Sequence, residues 1–398
     1  MKHHSKPVAG SRSFPQTAAR GLRGYPPIAS LVLGFLALVL SACASRPGPE
    51  VLNPVAAPVP GARMVTVYVA TTRERASPQQ NVFTTDRSTG LNYAEFVISI
   101  PPGHKAGTIE WPDKSPDPAT SFVTVRQAIL DEATFRKRIG GRTGRGGSDA
   151  GVFVHGYNTN FQEALFRLAQ LSADSQPDTV PVLFAWPSEA AITGYVADRE
   201  AVTYSRDYLA HVLSMLARER SVRNIAVIGH SMGGWLTMET LRQLSLQGRK
   251  DVLTRLQVVL AAPDIDLDVF RTQVAAIGPM SPPLTVLVSK DDWALAASSR
   301  LSGGRERVGT LDVADVRVQA IARQEGLRVV DISTLEAPDT FNHDRFVSFA
   351  AVYSAVAPRS GGADPLRQAG AFVFNTAGTV LSAPFTLVGQ ALAGQPLR

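Results

Sequence analysis

The stretch Asn224-Ile-Ala-Val-Ile228, running into Gly229-His230-Ser231-Met232-Gly233-Gly234 and then Trp235-Leu-Thr-Met-Glu-Thr-Leu-Arg-Gln-Leu244, decides how the rest of the chain is read. A β-branched run stops at a glycine, a serine follows among small residues, and an amphipathic helical pattern begins at once. G-x-S-x-G in this setting requires a tight, strained turn, because a Cβ at either glycine would collide with the adjacent strand or helix. The turn presents Ser231 on an exposed corner, with the positive N-terminal end of the helix behind it, which favours a developing oxyanion. Ser231 is therefore the candidate nucleophile.

Outward from this elbow, short apolar runs alternate with amphipathic stretches. Strands are expected at 64–72 and 93–101, and then in GVFVHG, VPVLFAW, NIAVIG, LQVVLAA, LTVLVS and LRVVDIS. Helices are expected in FQEALFRLAQLSA, YSRDYLAHVLSMLARE and WLTMETLRQLSLQ. Such a βαβ series implies an α/β fold, a mostly parallel central sheet with helices on both faces. The glycine-rich segment 140–151 reads as a connector. It precedes a strand and lacks the Gly-Lys-Ser/Thr ending of a phosphate-binding loop.

A serine hydroxyl needs a base. On a sheet that carries such an elbow the partners follow in the order acid, then histidine. Of the seven histidines, His3, His4, His104, His155, His211 and His230 precede Ser231, and only His343 follows it. His343 is the candidate base. The acid has three candidates. Asp292 closes the turn after the strand Leu284–Ser289 and is preferred, since a carboxylate there would orient the imidazole and stabilise its cation. Asp291 is adjacent, and Asp264 follows the preceding strand. The series Asp264, Asp266, Asp268 is not a calcium loop, because Val269 stands where glycine is required and Ala275 where glutamate is; it reads as a helix cap.

Two backbone N–H groups are expected to form an oxyanion hole, those of Met232 and Tyr157, with His155 bracing the latter's loop. Trp186 and Trp293 fall on loops at the same edge, where they either line an acyl pocket or pack the sheet rim.

Together, FVHGYNTNFQEAL (153–165), LFAWPS (183–188), VIGHSMGG (227–234), LAAPDIDLDVF (260–270), VSKDDWAL (288–295) and ATTR (70–73) resemble a bacterial alpha/beta-hydrolase family known mainly as a domain of unknown function, with esterase- and lipase-like members. The resemblance spans roughly 65–355. It implies the alpha/beta-hydrolase fold and a serine-hydrolase apparatus of Ser231, an acid near Asp292 and His343, with no metal or other cofactor. It implies no particular substrate. Only the short segment 265–283 is available for a lid, so the cap should be small or absent.

Composition bounds the remainder. The chain has 398 residues, 44% hydrophobic and 19% charged, and a single cysteine, which excludes a disulfide framework and cysteine-based metal clusters. Most of its net positive charge resides in residues 1–42, which hold Lys2, Lys6, Arg12, Arg20 and Arg23 and no acid. The balance beyond them calls for no nucleic-acid partner.

After that basic region comes the apolar run Ile28–Leu40, 13 residues long, short of the roughly 20 that span a bilayer and suited to a signal-peptide core. Leu40-Ser41-Ala42-Cys43 then resembles a bacterial lipobox, which implies cleavage before Cys43 and diacylation of its thiol. Ala44 rather than Asp follows, which implies the outer membrane, with the domain facing the periplasm.

The expected organisation is a signal at 1–42, a Pro/Ala-rich tether at 43–62, a hydrolase domain at 63–357 and a low-charge tail at 358–398. The expected activity is hydrolysis of carboxylic esters through an acyl-enzyme on Ser231. An amidase, peptidase or acyltransferase on the same residues is the alternative, and a non-catalytic envelope scaffold is the third reading. The partners expected are a small-molecule or lipid ester and the membrane.

Overall fold

A computed structural model describes residues 46–55, 59–113, 115–142, 148–175, 179–356, 372–374 and 380–381. The signal region, Cys43 and most of the low-charge tail lie outside the described residues, as does the middle of the glycine-rich connector. No helix among the described residues is long and apolar enough to cross a membrane.

The described strands form one sheet in the order β11-β10-β9-β8-β7-β6-β4-β5-β1-β2-β3. Its centre is parallel: β1 (Arg63–Arg75), β5 (Thr179–Ala185), β4 (Ser148–Val154), β6 (Val222–His230), β7 (Leu256–Ala261), β8 (Thr285–Val288) and β9 (Arg328–Asp331). At one edge β2 (Phe83–Ile100) and β3 (Val123–Leu130) pair antiparallel. At the other, β10 (Phe372–Phe374) and β11 (Val380–Leu381) from the tail add to β9. This is the alpha/beta-hydrolase fold.

The near-continuous apolar runs of the central strands have a direct cause, since a parallel sheet is covered on both faces. Side chains alternate between two cores. Val152 and Val154 of β4 and Val182 and Phe184 of β5 enter one core, which also holds Leu209, Leu213, Leu236 and Leu241 of the helices Tyr195–Arg218 and Met232–Leu246. Phe153 and Leu183, one residue out of phase, enter the other, beside Leu165 and Phe166 of the helix Phe161–Asp174 and Phe346 of the helix Arg345–Val356.

Three features differ from the sequence reading. β3 was not anticipated, because Val123–Leu130 carries the polar pair Arg126 and Gln127 at its middle and its burial is interrupted. β2 begins ten residues earlier than expected, its first half being largely solvated. The expected tether is in part seated on the domain. Pro49–Leu52 forms a short 3-10 turn with Val51 and Leu52 buried, and Thr124 Oγ1 and Gln127 Nε2 donate to the Val51 and Leu52 carbonyls at 2.9 and 3.1 Å. Two large aliphatic side chains inside an otherwise Pro/Ala-rich stretch supply the apolar surface that holds it there.

The chain between β7 and β8 contains one helix, Leu267–Ile277, packed against the helix Met232–Leu246, so the cap is small. Asp266 caps it, accepting from the Asp268 and Val269 amides at 2.9 and 3.1 Å, as the helix-cap reading anticipated.

Candidate active site

Parallel strands place their carboxyl ends along one edge, and loops there come together whatever their separation in sequence. The turn after β6 is as tight as its spacing demands. Ser231 has φ 53° and ψ −120°, a conformation that a side-chain-bearing residue adopts only under constraint. The glycines permit it. A Cβ on Gly229 would lie 2.9 Å from both the Gly233 carbonyl oxygen and the Gly234 Cα. A Cβ on Gly233 would strike the carbonyl oxygens of Val154 and His155. The turn is further pinned by the Ser231 amide donating to Ala261 O at 2.9 Å and the Asp264 amide donating to Ser231 O at 3.1 Å.

After β9, the loop carrying His343 is folded around Asp339, whose carboxylate accepts from the His343 amide at 3.0 Å and the Asp344 amide at 2.9 Å. His343 Nδ1 lies 2.6 Å from Asp292 Oδ2. The other oxygen of Asp292 caps the helix Trp293–Leu301, accepting from the Leu295 amide at 2.9 Å. With both oxygens engaged, the buried carboxylate is fixed in orientation. Burial works to lower the His343 pKa, but the Asp292 charge and hydrogen bond, with Asp344 and Asp339, outweigh it and push it up to about 9.

His343 packs against His230, the residue that precedes Ser231 in the chain. The two imidazoles lie with centroids 4.7 Å apart, and His230 is packed on its other side by Phe346 at 4.4 Å. Burial, followed by the nearby His343 charge, holds the His230 pKa well below the ordinary value, so this ring stays neutral beside its charged neighbour. The sequence assigned His230 no part, because it was considered only as a base and not as packing for one.

The two other acid candidates are held elsewhere. Asp291 pairs bidentately with Arg345, its Oδ2 2.8 Å from Nη2, and it accepts from Ser289 Oγ at 2.9 Å. The Arg345 hydrogen bond holds its carboxyl below the usual range. Asp264 sits in a buried cluster with Arg307 Nε at 3.2 Å, Tyr195 Oη at 3.0 Å and the Ser298 hydroxyl.

Met232 occupies the first position of the elbow helix, where an amide has no carbonyl one turn back to bond. The facing loop, His155–Asn160, is pressed against the nucleophile, since a Cβ on Gly156 would lie 3.0 Å from Ser231 Cβ. Tyr157 follows, its hydroxyl tied to the Ala191 carbonyl at 3.1 Å and its ring edge-on to Tyr195. The His155 ring stacks on Trp186 with centroids 4.8 Å apart, and the Trp186 indole donates to His155 O at 2.8 Å. Burial holds His155 far down, at a pKa of about 3. Trp186 is thus wholly buried against the loop, whereas Trp293 is 60% exposed.

Sequence reasoning missed two residues that brace this loop from beneath. Arg73, wholly buried, donates to Thr159 O at 3.1 Å and to Thr84 O at 3.1 Å. Asp198, equally buried, accepts from Ser188 Oγ at 2.6 Å, the Glu189 amide at 2.7 Å and the Asn158 amide at 3.4 Å. Burial lowers the Arg73 pKa to about 10, and the same cause raises that of Asp198. Arginine inside the apolar run of β1 was the available signal.

In comparison with solved structures, the chain resembles a protein provisionally assigned as a hydrolase from Agrobacterium vitis S4, with 13% identity and a TM-score of 0.31, covering 69% of this chain and 99% of that one. No curated protein matches it. The family model described as "Alpha/beta hydrolase of unknown function (DUF900)" matches residues 136–359, which hold the elbow, the loop before it, all three acid candidates and His343. By that match the chain belongs to this family of alpha/beta hydrolases.

Proposed function

We propose that the protein is a serine hydrolase of carboxylic esters. Ser231 attacks the acyl carbon as His343 takes its proton. The tetrahedral oxyanion is held by the Met232 and Tyr157 amides, and the leaving alcohol departs with the proton from His343. Water then enters by the same route in reverse, releasing the acid. Asp292 keeps Nδ1 protonated, so that Nε2 is the basic nitrogen, and it stabilises the imidazolium formed at each step. The observation that carries this reading is the 2.6 Å contact between Asp292 and His343, whose ring lies against that of the residue preceding a serine held at φ 53°. The sequence around Cys43 supports a lipid anchor in the cell envelope, at the outer membrane on the periplasmic side, as part of the same proposal.

The test is initial-rate hydrolysis of p-nitrophenyl esters from acetyl to palmitoyl by the full chain in detergent, beside Ser231→Ala and with fluorophosphonate labelling of Ser231. Turnover that falls by about 10³-fold or more in the variant is expected. Labelling without turnover across the whole series would transfer the proposal to amide hydrolysis or acyl transfer. Neither labelling nor turnover in a folded protein would leave a binding or scaffold role.

A further inference from the structure

The chain just beyond Cys43 is seated beside the candidate site. Pro47 is only four residues past that cysteine, and its carbonyl accepts from Asn160 Nδ2 at 3.0 Å. Asn160 ends the loop that presses on Ser231 and caps the helix Phe161–Asp174, its Oδ1 accepting from the Glu163 amide at 2.8 Å. Four residues reach at most about 14 Å when fully extended. The sequence therefore lets an acyl-bearing Cys43 lie no farther than about that distance from Pro47. A long free tether would have left the domain able to turn any face to the membrane; docking from Pro47 onward shortens the free link to the few residues after Cys43.

The carboxyl edge of the sheet carries large apolar side chains with little cover. Ile192 is 80% exposed, Val196 73%, Trp293 60% and Phe341 59%. Each belongs to a segment that follows the carboxyl end of a parallel strand: β5 for the first two, β8 for Trp293 and β9 for Phe341. They flank the site on two sides. Trp293 is next to Asp292 and its amide donates to Phe341 O at 3.0 Å, while Ile192 and Val196 flank Tyr195, whose ring meets Tyr157. Exposed apolar groups gathered at one opening mark a surface that another phase or molecule covers, and tryptophan favours the membrane–water interface. Glu189, Lys290 and Asp291, exposed among them, set the depth at the headgroups rather than in the hydrocarbon.

The geometry points to the phospholipid bilayer as the occupant of this rim: the short link from Cys43 holds the mouth of the site against the membrane surface, with Trp293 and Phe341 in the interface. This inference rests on the lipid anchor within the proposed function and not on the chemistry at Ser231. Two or three acyl chains anchor a protein stably, and an apolar rim adds contact at the site itself.

The full chain, purified from bacterial membranes, is reconstituted into phosphatidylcholine–phosphatidylglycerol vesicles with and without lipids brominated in the upper part of their acyl chains. Tryptophan fluorescence is then recorded for Ser231→Ala and for Ser231→Ala with Trp293→Phe. Bromolipid quenching that disappears with Trp293→Phe, together with acyl mass on the Cys43 peptide, is the expected result. Quenching that survives Trp293→Phe places another face on the bilayer and overturns the inference. So does absence of quenching, an unacylated Cys43, or crosslinking that shows a second copy on the rim. Ester turnover is not read, so a failure of the catalytic proposal would show only in the hydrolysis assay.

Discussion

His343 is the group whose protonation sets the pH range of the proposed reaction, and Asp344 is the neighbour through which that range can be moved without touching the Asp292 contact. With its pKa near 9, about one imidazole in a hundred is neutral at pH 7. Only the neutral ring can accept the Ser231 proton. kcat/KM should therefore climb about tenfold per pH unit from 7 to 8 and level off only above 9. Asp344→Asn removes a negative charge that favours the imidazolium while keeping the side-chain shape. The midpoint should fall, and the rate at pH 7 should rise by roughly two- to tenfold, since each unit is worth a factor of about ten. The assay is the initial rate of p-nitrophenyl ester cleavage from pH 6 to pH 10, followed at the isosbestic wavelength of p-nitrophenol with buffer-catalysed hydrolysis subtracted. An acidic limb centred near the ordinary histidine value of about 6.5 in the wild type would refute this reasoning, as would an unmoved midpoint in Asp344→Asn.

Gly233→Ala should force apart the β4–loop junction and the elbow, because the new methyl group meets backbone carbonyls that cannot move away; about 1–3 kcal/mol of stability in denaturant unfolding and most ester turnover should be lost. His104 bridges Glu110 at 2.8 Å and Asp174 at 2.9 Å, and although burial lowers its pKa, its hydrogen bonds to the Asp174 and Glu110 carboxylates prevail and raise it. A raised folded pKa gives stability that is complete below the unfolded value and fades as pH rises through the folded one. His104→Gln should therefore cost most at pH 5.5, on the order of 1.5–3 kcal/mol for charged hydrogen bonds, and progressively less by pH 9; equal losses at both pH values would contradict the bridging role. Arg73→Met removes the positive charge that acts on the buried Asp198 carboxylate, and a loss of about 3 kcal/mol is expected by chemical denaturation, against little change if the arginine is mere packing.

How much of this was legible in the sequence depends on what each feature requires. The elbow was fully readable, since a strand, three glycines and a helix are all local, and the φ of Ser231 follows from them. His343 stood out as the candidate base by elimination, because chain order on this sheet left one histidine. Asp292 was preferred over Asp291 only by its place after the strand, because the two differ by one residue and their side chains leave the turn in opposite directions, one to Arg345 and the other to His343. A local signal existed and was passed over: an aspartate directly before Trp-Ala-Leu is a helix N-cap, and the cap geometry that binds the Leu295 amide through Oδ1 leaves Oδ2 free for an imidazole. Reading Trp293–Leu301 as a helix would have supplied it. The seating of Pro47–Val55 was out of reach for a different reason, since its partners, Thr124, Gln127 and Asn160, are distant in sequence and two of them lie on the strand that was not anticipated.

The residues behind the site share that non-local character. Arg73 and Asp198 stand on different elements, and each reaches the loop between β4 and the helix Phe161–Asp174 from its own side, the cation on the Thr159 carbonyl and the carboxylate on the Asn158 amide. A loop whose conformation includes Asn158 at φ 54° needs its polar groups satisfied in place. Two opposite charges buried together can do so without leaving either uncompensated, at a desolvation cost that a hydrophobic pair would avoid. That cost is incurred at the loop on which a Tyr157 amide would meet an oxyanion and to which Pro47 ties the start of the domain. The physical demand common to both roles is that the loop does not move.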